Sequence, residues 1–344
     1  MLTDFAIFSD TGTYMAGASL YYGNIGSNMH VEVGASETQI LGSVYSGGTL
    51  GLRSPGTVGS DGNPSSFPLE PPLGNTIPTY DPLNVQVIAN GAANIENGTQ
   101  IWGTFDAFSL SSGAPTVSGA DNVPGINTFG IVTMQTASTF SANSNDIDCS
   151  PNCGGATPGE TVITAGTYGN LTAGQNITLT LEGGNEFIFN SIDTSGNTRL
   201  NIDLSNGAVD IKSVGDIDFG QDAQIYVQES AGSGYVRLDT VPHLADQINW
   251  ETKQEFILGG GDVAAFSTIF GGNIFSSWLG TGNGVTFGQH LDFYGTIYAL
   301  DDIDLADHSR YNYTPNAVPV PAAVWLFASG LLGLVGIARR GKTA

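Results

Sequence analysis

The chain has 344 residues, 48 of them glycine, and a formal net charge of −23. Such a charge repels nucleic acid and anionic lipid surfaces, so neither is expected as a partner of the folded body. Only 12% of residues are charged and helix-building runs of Leu, Lys and Glu are missing. Many short strands with tight turns follow from that composition, with enough aromatic and β-branched residues for a packed core.

The opening, Met1 to Asp10, has no basic residue and only a short apolar stretch. It therefore does not read as an export signal, and the expectation is that the true start lies further upstream. Residues 1–53 are read as glycine-rich repeats of short strands, for example Tyr21-Tyr22-Gly23-Asn24-Ile25-Gly26 and Val31-Glu32-Val33-Gly34. Residues 54–83 hold seven of the fifteen prolines. No strand ladder tolerates that density, so the stretch is expected to be a linker or a surface loop.

Residues 84–313 are read as the main β body, with 109–160 as a polar, glycine-rich loop insertion. Within this body Thr99-Gln100-Ile101-Trp102-Gly103-Thr104-Phe105 repeats Thr38-Gln39-Ile40-Leu41-Gly42-Ser43-Val44, and Phe293-Tyr294-Gly295-Thr296-Ile297-Tyr298 is a looser copy. A second recurring unit is Gly-Gln plus a polar residue: Gly174-Gln175-Asn176, Gly220-Gln221-Asp222 and Gly288-Gln289-His290. From Val162 to Val227 strand-like segments follow one another, with Leu200, Ile202 and Leu204 on one face and Arg199, Asn201 and Asp203 on the other. Degenerate repeats of this kind favour a parallel β-helix or solenoid, with a β-sandwich as the alternative.

The tail is the most specific stretch. Val318-Pro319-Val320-Pro321 is a stiff extended opening. Residues 322–338 carry no charge, and at a helical rise of about 1.5 Å they reach roughly 25 Å, enough for one transmembrane helix. Arg339, Arg340 and Lys342 follow at once. Positive residues stay on the cytoplasmic side, so the body is expected on the other side of the membrane.

Val318-Pro319-Val320-Pro321-Ala322, Trp325 in the apolar helix and the Arg339-Arg340 cluster, in this order at the terminus, resemble the PEP-CTERM sorting signal of Gram-negative bacteria, in its Val-Pro-x-Pro-Ala variant. The resemblance covers 314–344 and implies recognition by an exosortase, a membrane protease that processes the protein near the motif. It implies a final destination at the cell surface or in secreted matrix. The phrases Gly166-Thr-Tyr-Gly-Asn-Leu171 and Gly295-Thr-Ile-Tyr-Ala299 also resemble exported, adhesin-like bacterial surface proteins of the choice-of-anchor type. That likeness implies a β-helical surface module and names no catalytic residue.

Little in the body points to catalysis. Cys149 and Cys153 flank Pro151-Asn152, which suits a small disulfide loop in an exported protein. His30, His243, His290 and His308 show no ligand spacing and read as surface or turn residues. Asp301, Asp302, Asp304 and Asp307 form the densest acidic group, of a kind that calcium would suit, although neither calcium-loop spacing is present. Solvated acids are the plainer reading, and no cofactor is expected. The six bases of the body, Arg53, Arg199, Lys212, Arg237, Lys253 and Arg310, show no clustering around acids in the sequence. Thr178 and Thr180 fit one row of a flat threonine array of the ice- or glycan-binding kind. The expectation is a structural or adhesive surface protein that is not an enzyme, with extracellular polysaccharide as a possible partner; a polysaccharide-active β-helix enzyme is the alternative.

Overall fold

The computed structural model of the chain describes residues 2–34, 38–53, 56–59, 85–113, 115–123, 129–149, 160–261 and 268–313. Expectations about the rest of the proline-rich stretch, about Cys153 and about 314–344 lie outside these residues. Among the described residues no helix is long and apolar enough to cross a membrane.

The protein is all-β, with thirty-one strands among the described residues in one hydrogen-bonded sheet. The strands are short because turn-forming residues recur every few positions. Most pair in parallel with the strand one coil ahead: Ile7–Ser9 with Ile25–Ser27, Gly12–Met15 with His30–Val33, Leu20–Tyr22 with Thr38–Leu41. Among the described residues one pairing is antiparallel, between Gln224–Gln228 and Val236–Arg237. Hairpins would give the reverse ratio. The chain therefore winds in stacked coils of three faces, about 4.8 Å apart.

The stacking order differs from the chain order. Coils 7–22, 25–41, 44–58, 85–101 and 103–117 run from the middle of the stack to one end. The chain resumes with Ile147–Cys149 beside Asn170–Ala173 at the opposite end. From there it winds back through 178–194, 199–219, 224–258, 268–287 and 291–312. This last coil docks on the first: Ile297–Ala299 on Ile7–Ser9, Ile303–Leu305 on Thr13–Met15, Arg310–Asn312 on Leu20–Tyr22.

Two sequence expectations are corrected here. Gly56–Val58, inside the stretch read as a linker, is a strand of the third coil. The described part of 109–160 is not loop throughout: it holds the end of strand Gly103–Ser112 and the strands Thr116–Val117, Asp121–Asn122 and Ile147–Cys149, while 129–146 form a strap without regular structure.

The core consists of ladders of inward residues. One runs Phe270, Phe293, Tyr311, Tyr21, Ile40, Val58, Ile101, all at most 2% exposed. Tyr21 and Tyr311 stack across the seam with ring centres 4.7 Å apart. Trp250 packs on Phe270 at 5.1 Å, and its indole N–H donates to the Gly271 carbonyl at 3.0 Å, so burial leaves no orphan donor.

The repeats mark corners. In the Thr-Gln-Ile repeat, Gln39 and Gln100 share one column, and the following glycine lies where coils nearly touch. A Cβ on Gly42 would sit 2.1 Å from the Gly23 carbonyl oxygen, and one on Gly103 1.9 Å from that of Val85. The Gly-Gln unit ends at another corner, where Asn176, Asn197, Asp222, His290, His308 and Ala18 all adopt the left-handed backbone. At the third corner buried hydroxyls close the turns: Thr252 Oγ1 donates to the Gly215 carbonyl at 2.7 Å, Ser276 Oγ to Gln254 at 2.8 Å and Ser27 Oγ to Thr11 at 2.8 Å.

Candidate functional site: an open acidic face

The three faces have different covers. On the first, the strap runs across the outward column that includes Phe8, Tyr298, Glu251 and Lys212. Asn90 Nδ2 donates to the Phe129 carbonyl at 2.6 Å and accepts its N–H on Oδ1 at 2.7 Å; Asn28 makes the same pair with Val132. Further along, the Ser138 N–H and hydroxyl both donate to the Glu251 carboxylate. Lys253 donates to the Phe140 carbonyl at 2.6 Å and lies 4.2 Å over its ring. Phe5, Phe8, Tyr45 and Phe129 pack together under its start.

On the third face, the short helical turns Leu238–Thr240 and Pro242–Gln247 pack Leu238 against Gly271. Beside them Arg310 binds Asp292 through both oxygens, at 2.5 and 2.6 Å. Burial pushes the Asp292 carboxyl up and the guanidinium pulls it back. Leu20, Tyr22 and Leu41 point outward there and form a second small buried cluster.

The remaining face is open among the described residues. Its outward column runs in register through Asp148, Thr172, Asp193, Asp218, Ile257, Thr286, Asp304, Tyr14, Glu32, Gly51 and Asn94. Asp146, Asp216, Glu255, Asp301 and Asp302 flank it. Asp193 and Asp218 are paired in register, about 4.8 Å apart. Partial burial, then the charges of Asp193 and Asp216, hold the Asp218 carboxyl above the usual range. Burial and then Asp216 and Asp301 raise Glu255; burial raises Asp304, with Asn283 opposing and Asp302 adding. Tyr14 is pushed up by burial and then by Asp302, Glu32 and Asp304. Glu32 alone is lowered, first by its hydrogen bonds from Arg53.

The sequence-predicted residues fall as follows. Cys149 is buried and disulfide-bonded; Cys153, the other cysteine of the chain, lies outside the described residues. Asp301 and Asp302 turn to the Thr11 hydroxyl, Asp304 to Asn283, and Asp307 to His308, so the four are not gathered around one point. No group of three or more potential ligand side chains converges among the described residues. His290 is no surface residue: it is 8% exposed and stacks on His308 at 5.2 Å. Thr180 is buried and accepts from Asn201 Nδ2 at 3.1 Å, while Thr178 is followed in its column by Arg199, so no threonine array forms there.

Sequence spacing concealed the pairing of the bases. Arg53 meets Glu32, Lys212 meets Glu186, Arg237 meets Asp239 and Arg310 meets Asp292. Arg199 lies 3.8 Å over the Tyr226 ring, and Lys253 is held by the strap. Parallel stacking makes the Arg53, Lys212 and Arg310 contacts, because residues about 20 apart become neighbours, whereas Arg237 and Asp239 are two apart on the chain. The surplus of acid is therefore left to the open face. Comparison with family profiles, with curated proteins and with solved structures gives no match.

Proposed function

We propose that the chain is an exported surface or matrix protein, built on a parallel β-helix and delivered by the sorting signal at 314–344. An exosortase would read Val318 to Ala322, and Arg339-Arg340 would hold the tail at the cytoplasmic side until processing. The role is structural or adhesive. The observation that supports it best is the open face: a rigid, in-register row of outward side chains running along the stack, rich in carboxylates, of which burial first and neighbouring acids second raise Asp218, Glu255 and Asp304. A long regular surface of this kind suits contact with an extended polymer better than enclosure of a small substrate.

The test is the mass of the C-terminus of the protein after expression, with an export signal, in a host that carries an exosortase. Loss of the residues beyond Pro321, with the body recovered from the surface or medium, is the expected result. An intact Arg339–Ala344 on a protein that stays in the inner membrane would overturn the sorting reading.

A further inference from the structure

The open face is interrupted at one place. Between Glu32 and Asn94 the column holds Gly51, which has no side chain. Glu32 and Asn94 are two coils apart, about 9.6 Å along the stack. The gap is the floor of a notch of about 220 Å³, walled by His30, Thr49, Arg53, Glu96 and Ser111. Its polar side chains stand around a partly apolar lining that includes Leu50 and Ala92. Arg53 Nε donates to Glu32 Oε1 at 2.9 Å, and its Nη2 reaches the same oxygen. His30 Nδ1 lies 2.6 Å from the Thr49 hydroxyl, and its Nε2 lies 3.5 Å from Glu32. The Tyr14 ring, next to Glu32 in the column, lies 5.3 Å from the His30 ring.

We propose that this notch binds one pyranose ring of a neutral polysaccharide, the chain running along the open face past Tyr14. The proposal rests on the surface-protein reading and gives it a ligand. Three observations carry it. Carboxylate, guanidinium, amide and hydroxyl groups stand side by side, so paired donors and acceptors meet, as a vicinal diol requires. Glu32 and Glu96 offset Arg53, so a phosphate, sulfate or uronate meets two carboxylates on a face that is already acidic. Arg53 in turn opposes an amine. The ring-sized gap comes from a glycine that the backbone does not demand: a Cβ there would meet its nearest atom, Glu32 Cγ, at 3.4 Å, and its φ is not left-handed.

That last fact supplies the test. Gly51→Leu fills the notch without a backbone clash, and Asn94→Ala removes one wall at an exposed position. The full chain, in mild detergent, is titrated calorimetrically with neutral glucan, mannan and galactan hexasaccharides and with oligogalacturonate. Thermal unfolding checks that each variant folds. We expect a neutral hexasaccharide to bind, Gly51→Leu and Asn94→Ala each to weaken it about tenfold or more, and Asp193→Asn, on the same face but far along the stack, to leave it unchanged. No heat with any neutral hexasaccharide up to about 5 mM, preference for oligogalacturonate, or equal binding by folded Gly51→Leu would each overturn the proposal. Correct sorting without binding sinks the notch alone; binding by a chain that is not sorted sinks the delivery alone.

Discussion

The first and last coils touch without a covalent link, and that seam can be tested by cutting the strap. Gln135 and Thr136 are exposed, so a protease site placed between them is accessible. The cut separates the strap cleanly: Phe129 and Val132 bond to Asn90 and Asn28 of the first half, Ser138 and Phe140 to Glu251 and Lys253 of the second. The halves are then held across the seam by three parallel ladders of three residue pairs each. Ile7, Met15, Tyr21, Ile297, Ile303, Leu305 and Tyr311 line it, each at most 2% exposed. Losing one neighbouring coil uncovers about half of each side chain, roughly 1 kcal/mol apiece, or about 7 in all. The ladders contribute about nine backbone hydrogen bonds at a net 1 kcal/mol each. Association costs about 4–15 kcal/mol. A cost of about 8 kcal/mol, inside that range, leaves about 8 kcal/mol, a Kd near 1 μM. After cleavage the fragments should co-elute in size exclusion at about 20 μM and separate on dilution well below 1 μM. Fragments that part at once at 20 μM would refute the seam as drawn.

Two further outcomes follow from the same geometry. Gly42→Ala places a methyl group 2.1 Å from the Gly23 carbonyl oxygen and should cost about 3 kcal/mol in urea unfolding, whereas Gly51→Ala, with its nearest contact at 3.4 Å, should be close to neutral. Asp218, Glu255 and Asp304 have carboxyls raised in the folded state, so the folded protein binds protons more readily than the unfolded chain and stability must fall as pH rises through that window. Unfolding midpoints should therefore rise as pH is lowered from neutrality toward about 5; Asp218→Asn should flatten that slope, and a midpoint that falls over this range would contradict the account. Below the ordinary Glu range the sign reverses for Glu32, whose lowered carboxyl loses its bond to Arg53 on protonation.

Much of the local structure was legible because it depends on period and turn chemistry. Leu200 and Ile202 do point inward, at 3% and 0% exposure, and both repeats fall at corners of the coil. The order of the coils was not legible. Nothing in Ile7 or Ile297 says that residues 290 apart will be neighbours, because parallel pairing gives no local signal. The strap misled for a related reason: its polar, glycine-rich composition is that of a loop, and it is its partners on the coils, Asn28, Asn90, Glu251 and Lys253, that show it is tied down. The ladder Ser27, Ser46, Ser213, Thr252 and Ser276, all at 0% exposure, was missed although each hydroxyl ends a strand and all but that of Ser276 lie three or four residues before the next one, where turn-closing hydroxyls are common.

The distribution of charge over the faces follows from these packing choices. Bases are few, and the structure uses each where burial or a crossing segment needs a cation: Lys253 under the strap, Arg310 against buried Asp292, Lys212 beside Glu186. An acid on a covered face is satisfied, as Glu251 is by Ser138. Acids on the open face have few cations beside them, and burial first and neighbouring acids second raise the carboxyls of Asp218 and Glu255. The fold tolerates this repulsion because the inner ladders, with side chains such as Phe256 and Phe287 buried behind the acids, hold the coils in register. Arg53 is the exception. It leaves the strand Thr49–Leu52 toward solvent and lies between Glu32 and Glu96, so one cation stands among two carboxylates at the point where the column loses its side chain. A face that repels anions along its length and opposes amines at a ring-sized gap can select an uncharged chain from a matrix of charged ones.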